Sequence, residues 1–493
     1  MQLAPAGFNP GATRNAAANE EYLIYFTARF IGHRLIIDIQ FKCELISRLQ
    51  VQRLTDRFVK TLNYALNNEV YLETHSHLEA IVSNLPTVGL PVFNPVIGFR
   101  PTKVVSEKTV LLTGCTGFLG VFLLKELLSE NNIKVICLVK ASSDESATER
   151  VKNLYRHFFE SYNDRLDTHL QIISGDLTCN DFGVDTVTYK WLKDQTDLVI
   201  HAAANTNLLK TYKELRGINV ESINQMVSFA GEEGGKELHY ISSMAVSGYT
   251  DQSYRTFSED DFDSGQRFLS DYERSKFDAE QVIRRYFNNG GKGKIYRMGH
   301  IAADSTNAIF QMNANKNRIF QILNGIRLLR MIPGDYNETV SFSFVDIVAR
   351  GIVSSCLHLP EELKDCLHIE NPQKYSFLDL ADRLSDTHDR IKKVSLAKFK
   401  QAVLEFTGSE EDIELVNATL MWVERFYRNP RNVSYLQGYT VDQLALRGIY
   451  FPAISRDWLM AMLKQENESF IADVPYLYDQ KFINGSEPIL NEI

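Results

Sequence analysis

The stretch "TVLLTGCTGFLGVFLLKELL", Thr109 to Leu128, limits this chain more than any other. An apolar, strand-like run enters a turn punctuated by Gly114, Gly117 and Gly120, and an amphipathic helix leaves it. Gly114 permits the tight turn. Gly117 lets the backbone approach a pyrophosphate, and Gly120 lets the helix pack close to the strand. The helix N-terminus adds free N–H groups and the positive end of a dipole. With a strand before it and a helix after, the loop predicts a dinucleotide site built from Thr113, Gly114, Thr116, Gly117, Phe118, Leu119 and Gly120.

The rest of the chain supplies the setting. Six short β-branched runs alternate with amphipathic helices from Lys108 onward: "KTVLLT", "IKVICLV", "HLQIIS", "TDLVIHA", "ELHYIS" and "GKIYRM". That alternation predicts an α/β fold, a Rossmann-type doubly wound parallel sheet with helices on both faces. After about residue 300 helical patterns dominate, as in "ELVNATLMWVERFY" and "RDWLMAMLKQ", and a smaller, mainly helical substrate region is expected there. Before the sheet, "YLIYFTARFIGHRLIIDIQFK" reads as two strands around Gly32-His33, "ISRLQVQRLTDRFVKTLNYAL" as a helix, and the Pro- and Gly-rich "NLPTVGLPVFNPVIGFRP" as a linker. The expected division is therefore 1–100, 101–300 and 301–493, consistent with a chain of 493 residues.

Composition narrows the class. A formal charge of -9 argues against a dedicated nucleic-acid binder. The six cysteines form no CxxC pair and read as free intracellular thiols. No apolar run suits a secretory signal, and no uncharged stretch reaches the roughly 18–20 residues of a membrane span. A cytoplasmic protein is expected. His75 and His77 are too isolated to suggest zinc, and no metal site is expected. His201 is expected to pack, and "NGGKGK" around Gly291 to form a helix-to-strand turn.

The second strand ends at Val139-Lys140, with no carboxylate until Asp144. An NAD site usually places an acidic residue there. A cation at Lys140, with Arg150 folding back to it, suits the 2′-phosphate of NADPH, although Lys lacks the bidentate fork of Arg. The other reading of both cations is ordinary solvated charge. Asp176, in "SGDLT", either contacts the adenine edge or caps the next turn.

Tyr272-x-x-x-Lys276 places a phenol and an ammonium on one helix face. The ammonium favours phenolate character, and the phenol can give its proton to a carbonyl oxygen as hydride arrives. Upstream, "YISSMAVSG" ends a predicted strand, and Ser243 there would give the same oxygen a second hydrogen bond. Asn219 either steadies this site or is a buried structural amide.

TGCTGFLG, GDL, "HAAANTN", "NV", "YISS" and YERSK, in this order, resemble the extended short-chain dehydrogenase/reductase family. Within it the chain is most similar to thioester reductase domains of nonribosomal peptide synthetases, carboxylic acid reductases and fatty acyl-CoA reductases. "KTYKELRGINVES", "KIYRMGHIAADS" and "LHIENPQKYSFLDL" support the likeness, which covers roughly residues 105–470. The resemblance implies NADPH-dependent reduction of a carrier- or CoA-bound acyl thioester to an aldehyde, in some members on to an alcohol. It implies Ser243, Tyr272 and Lys276 as catalytic residues, and Leu177, Ala202 and Ala203 as cofactor contacts beside the loop, Lys140, Arg150 and Asp176. Departures are mild: Lys140 where Arg is usual, Ser243 where Thr is frequent, and Ser222 where Gly is common.

The first segment resembles the tail of a condensation domain but lacks the HHxxxDG signature, so no acyl transfer is expected of it. "TGSEED" around Ser409 does not make a phosphopantetheine site, so the acyl group is expected in trans, on a carrier protein or CoA. Lys316, Arg318, Arg327 and Arg330 offer a possible face for an acidic carrier. Two alternatives share these motifs: a nucleotide-sugar epimerase or dehydratase, and a non-catalytic binding protein on a reductase fold.

Overall fold

The computed structural model describes strand backbone at residues 2–4, 24–31 and 34–41, and residues 107–464 apart from 160–163, 209, 232–234, 251–254, 359–363, 386–389 and 429–432. The chain divides into two compact units, residues 1–101 with 446–448, and residues 102–445 with 449–493. In the first, β1 (Gln2–Ala4) runs parallel to β2 (Ile24–Ile31), which pairs antiparallel with β3 (Arg34–Phe41). The two strands expected around Gly32-His33 are thus present. The expected helix and linker after them lie outside the described residues.

The second unit is built on a seven-stranded sheet. Its strands are β4 (Lys108–Thr113), β5 (Ile133–Val139), β6 (Leu170–Ser174), β7 (Leu198–His201), β8 (Glu237–Ser243), β10 (Gly293–Met298) and β11 (Cys366–Ile369). A short strand, β9 (Arg255–Phe257), lies outside this sheet. The order is β11-β10-β8-β7-β4-β5-β6, with every pairing parallel. The direction of strand addition reverses between β4 and β7, and the crevice above such a reversal is where open α/β sheets bind ligands. The six strands read from the sequence are all in the sheet. The seventh, β11, was not among them.

Pleating sorts the strand residues onto two faces. Leu111, Ile136, Val199, Leu238 and Ile295 face α3 (Ser222–Ala230) and α4 (Asp271–Asn288), meeting Ile223, Met226, Phe229, Ala279 and Ile283. Val110, Leu112, Cys137, Ile200 and Tyr296 face α1 (Phe118–Ser129) and α6 (Val345–His358). Both faces being covered explains why the strands read as continuous apolar runs. α2 (Asp144–Phe158) starts at a capping box between Ser143 and Ser146.

After residue 300 the chain forms mainly helices, with β11 and several short strands among them. α5 (Arg318–Leu329) packs on α7 (Glu410–Arg428) at Gly325, where a Cβ would lie 2.0 Å from the Thr419 hydroxyl. α8 (Arg456–Leu463) buries Trp458, Leu459, Met462 and Leu463 in the same core. β12 (Val433–Tyr435) returns to pair with β9. No helix among the described residues is long and apolar enough to cross a membrane.

Candidate active site

The glycine loop is shaped by contacts that exclude side chains. Gly114 has φ of +75°, and a Cβ there would meet the Ala202 carbonyl carbon and the Ala203 nitrogen at 2.6 Å. A Cβ on Gly120 would lie 1.9 Å from the Gly114 oxygen. The Gly117 amide donates to that oxygen at 2.9 Å, and Gly117 begins α1 with no side chain capping the helix and no acidic residue in its first turn. The first N–H groups of α1 thus have no side-chain cap to accept from them. Thr113 ties the neighbouring strand ends together: its hydroxyl accepts from the Ala203 amide at 3.3 Å and lies 2.9 Å from His201 Nδ1. His201 is fully buried in this packing role, and burial depresses its pKa to about 3. Thr116 and Leu119 are half-buried, and Phe118 packs edge-on to Phe122 and Phe310.

At the end of β5 the structure brings three expected residues together. Lys140 Nζ lies 2.7 Å from Asp176 Oδ2, and Arg150 folds back to donate to the Lys140 carbonyl at 3.3 Å. Partial burial pushes the Asp176 carboxyl up, but hydrogen bonds from Lys140 and Thr178 outweigh it and hold the group below its usual range. Leu177 turns its side chain into the core, and its carbonyl accepts from Gln225 at 3.2 Å. The loop then bends through Asp181 and Phe182, both at positive φ (50° and 59°), and the Phe182 carbonyl accepts from the Asp176 amide at 2.7 Å. Two consecutive non-glycine residues in this region are strained backbone. Sequence reasoning missed the bend: Asp is enriched at positive φ, but Phe182 gives no such signal.

The second cluster lies where β8 meets α4. Ser270 caps α4, accepting from the Glu273 amide at 3.3 Å, so Tyr272 sits in the first turn and Lys276 one turn on. Ser243 ends β8, its hydroxyl accepting from the Ala245 amide at 3.2 Å and hydrogen-bonded to the Tyr272 phenol. Desolvation raises the phenol to about 12 against the lowering effect of Ser243, so Tyr272 is a protonated donor at neutral pH. Lys276 is 3% exposed. Its Nζ donates to the Ile241 carbonyl at 2.7 Å and lies 4.3 Å from the Tyr240 ring centre. Burial lowers its pKa to about 7, opposed by Glu280.

Asn219 has its amide fully engaged. It accepts from the Asn205 amide at 2.8 Å and donates to the Asn205 carbonyl at 2.9 Å and to Ser275 Oγ at 3.0 Å. Ser275 donates in turn to the Tyr272 carbonyl at 2.8 Å. Asn219 therefore fastens the loop after β7 to the turn that carries Tyr272. It sits in a π-helical turn, Gly217–Glu221, a local widening frequent at functional sites.

The four cations expected to face a carrier do not act alike. Lys316, Arg327 and Arg330 are exposed, whereas Arg318 is paired with Glu338 and lies over the Trp422 ring. Gly291 lies in the turn between α4 and β10, against the Tyr286 ring.

Residues 112–352 match the NAD-binding family model described as "Male sterility protein". The chain is 27% identical over 319 residues to the L-2-aminoadipate reductase of Schizosaccharomyces pombe, covering 62% of this chain and 22% of that protein. It is 26% identical over 300 residues to a linear gramicidin synthase component of Brevibacillus parabrevis, covering 60% of this chain and 6% of that protein. The chain therefore spans only 6% to 22% of the length of these curated relatives. Among solved structures, a thiolation-reductase di-domain from an archaeal non-ribosomal peptide synthetase superposes with a TM-score of 0.62 at 25% identity, covering 72% of this chain and 74% of that one. Fold and sequence together make the chain similar to the reductase domains of these proteins, on a parallel sheet of the extended short-chain dehydrogenase/reductase type.

Proposed function

We propose that this protein reduces an acyl thioester, carried on phosphopantetheine of a carrier protein or on CoA, to an aldehyde with NADPH. The observation that carries the reading is the convergence of Ser243, Tyr272 and Lys276 beside a glycine loop at the switch point of the sheet. The loop fits a dinucleotide, since backbone fills the space that a Cβ would need at Gly114 and Gly120, and the start of α1 has no side-chain cap. The backbone of Gly114 to Gly120 would hold the pyrophosphate, Lys140 and Arg150 the 2′-phosphate, and Lys276 the ribose hydroxyls. When bound, the nicotinamide supplies hydride.

The remaining chemistry belongs to this chain. Ser243 and Tyr272 hydroxyls converge, so one carbonyl oxygen can accept from both and gain stabilisation as it becomes an alkoxide. Tyr272 then gives up its proton. The Lys276 ammonium on the same helix face lowers the cost of the phenolate that results. Collapse of the protonated adduct breaks the C–S bond and releases thiol and aldehyde. A thioester suits this sequence because its carbonyl accepts hydride, whereas a carboxylate repels it. Relatives named as a gramicidin synthase component and as a thiolation-reductase di-domain support a carrier as the source of the acyl group. We further read 1–100 as a piece resembling a condensation domain, 101–300 as the cofactor domain and 301–493 as the substrate region, in a cytoplasmic protein.

The test is NADPH oxidation with acyl-CoA, acyl-pantetheine and carrier-loaded thioesters, with NADH and Tyr272→Phe as controls. Aldehyde formation that is strong with NADPH, weak with NADH and lost in the variant is expected. Binding of NADPH with no turnover of any thioester would overturn the substrate class and move the nucleotide-sugar reading ahead.

A further inference from the structure

One buried charge cluster lies outside the three residues assigned above. Glu280 is 1% exposed and sits on the face of α4 that carries Tyr272 and Lys276, one turn beyond Lys276. Arg297 on β10, 0% exposed, grips it through Nε at 3.0 and 3.2 Å and a terminal nitrogen at 2.7 Å. Ser242, the neighbour of Ser243, donates its hydroxyl to the same carboxylate. Arg297 is fixed in turn by the Ser258 carbonyl at 3.4 Å, by His368 Nε2 at 3.3 Å and between the rings of Phe257 and Phe262, each 4.7 Å away. His368 gives its Nδ1 proton to the Leu436 carbonyl at 3.0 Å, and burial holds it neutral, so it serves Arg297 as an acceptor.

We infer that Glu280 is a positioning residue for Lys276: clamped by Arg297 and Ser242 one turn further along α4, its carboxylate fixes a negative charge on the helix face that carries the buried Lys276. The inference rests on the reading of Tyr272 and Lys276 as the working pair.

The surroundings of Lys276 leave this task to Glu280. From β7 faces His201, neutral at ordinary pH. From β8 come the Ile241 carbonyl and the Tyr240 ring, whose phenol burial keeps protonated. From α4 itself come Tyr272, also protonated, and Glu280. Among the described residues, the carboxylate acting on Lys276 is therefore Glu280, with Arg297 behind it. An ammonium taken out of water without such a partner loses its proton. The clamp also explains why the carboxylate does not swing away to neutralise Lys276 directly. Arg297 and Ser242 occupy its oxygens, so the ammonium keeps donors for a ligand.

The test measures dinucleotide affinity in the full chain from pH 5 to 9 by fluorescence, with the thermal midpoint alongside, in wild type, Glu280→Gln and Glu280→Asp. Glu280→Gln is expected to move the pH at which affinity starts to fall downward by about one unit. Glu280→Asp, which keeps the charge, is expected to move it less. The inference is overturned if Glu280→Gln lowers the thermal midpoint while the pH profile stays at that of wild type, which is the behaviour of a brace. If Glu280→Gln alone does not fold, the double variant Glu280→Gln with Arg297→Met, which leaves neither charge of the buried pair unpartnered, carries the decision: a downward shift supports the inference and a profile at that of wild type overturns it. Protein that shows the shift but reduces no thioester contradicts the substrate reading and leaves this inference standing.

Discussion

Two ion pairs stand on opposite sides of the switch point, each with a closest N–O distance of 2.7 Å: Lys140 with Asp176, and Arg297 with Glu280. Their surroundings differ completely. The first pair has side chains 63% and 25% exposed; the second has 0% and 1%. Exposed pairs are screened by water and salt and contribute about 0–1 kcal/mol, so their partners can be exchanged cheaply. A buried pair cannot be broken without leaving a charge in a medium that does not solvate it. On the proposed function, the same chemistry serves an exchangeable cofactor rim at β5 and β6 and a permanent scaffold beneath β8 and α4: an incoming 2′-phosphate would take Lys140 from Asp176, whereas Arg297 stays buried on Glu280.

The sharpest way to break this division is at Tyr272, which the scaffold holds. Tyr272→Phe is expected to lower turnover by about 10²–10⁴-fold while dinucleotide affinity stays near that of wild type, checked by steady-state kinetics and titration. A loss of affinity equal to the loss of turnover would make Tyr272 part of the rim instead. Next in size, Arg297→Met strands the Glu280 carboxylate and is expected to cost about 3–5 kcal/mol in denaturant unfolding. The double variant Arg297→Met with Glu280→Leu should recover much of that. At the rim, Lys140→Ala is expected to leave stability within about 1 kcal/mol of wild type and to weaken binding of 2′,5′-ADP about ten-fold, with 5′-AMP unaffected. Asp176→Asn should move 2′,5′-ADP the other way if the pair competes with the phosphate.

A smaller effect tests an intermediate case. His239 is buried on β8, 3.0 Å from the Tyr296 hydroxyl and 3.2 Å from the half-buried Glu237 carboxylate. Burial opposes its charge, but Cys356 and Glu237 prevail and raise its pKa to about 9. A raised folded pKa contributes stability that is complete below the ordinary value of 6.5 and is lost as pH rises through 9. Thermal midpoints should therefore decline between those limits, and His239→Gln should flatten the decline.

Much of the glycine loop and its setting was legible in advance. The glycine spacing, the alternation of strands and helices, and the cation at the end of β5 are local patterns read off consecutive residues. The Tyr272–Lys276 spacing is local in the same way, since one helical turn sets it. Other features left little trace. β11 is four residues long and joins the sheet only after the segments that follow β10. Glu280 stood in plain view on the Tyr272 face, yet nothing nearby in sequence marks Arg297 or Ser242 as its partners. Arg318 read as an available cation because Glu338 and Trp422 lie far along the chain.

By itself, then, the sequence determined the class of fold, the place of the glycine loop proposed to hold the dinucleotide, and the spacing of the residues proposed for catalysis. Backbone geometry repeats over a few residues, and each of these depends on nothing longer. Tertiary structure alone decided which charges are buried in pairs and which are exposed, where Asn219 fastens the site, and how Glu280 comes to be clamped by Arg297. Those outcomes depend on strand register and helix packing. The free energy of a charge is set by the atoms that surround it in space, and the order of residues along the chain does not contain them.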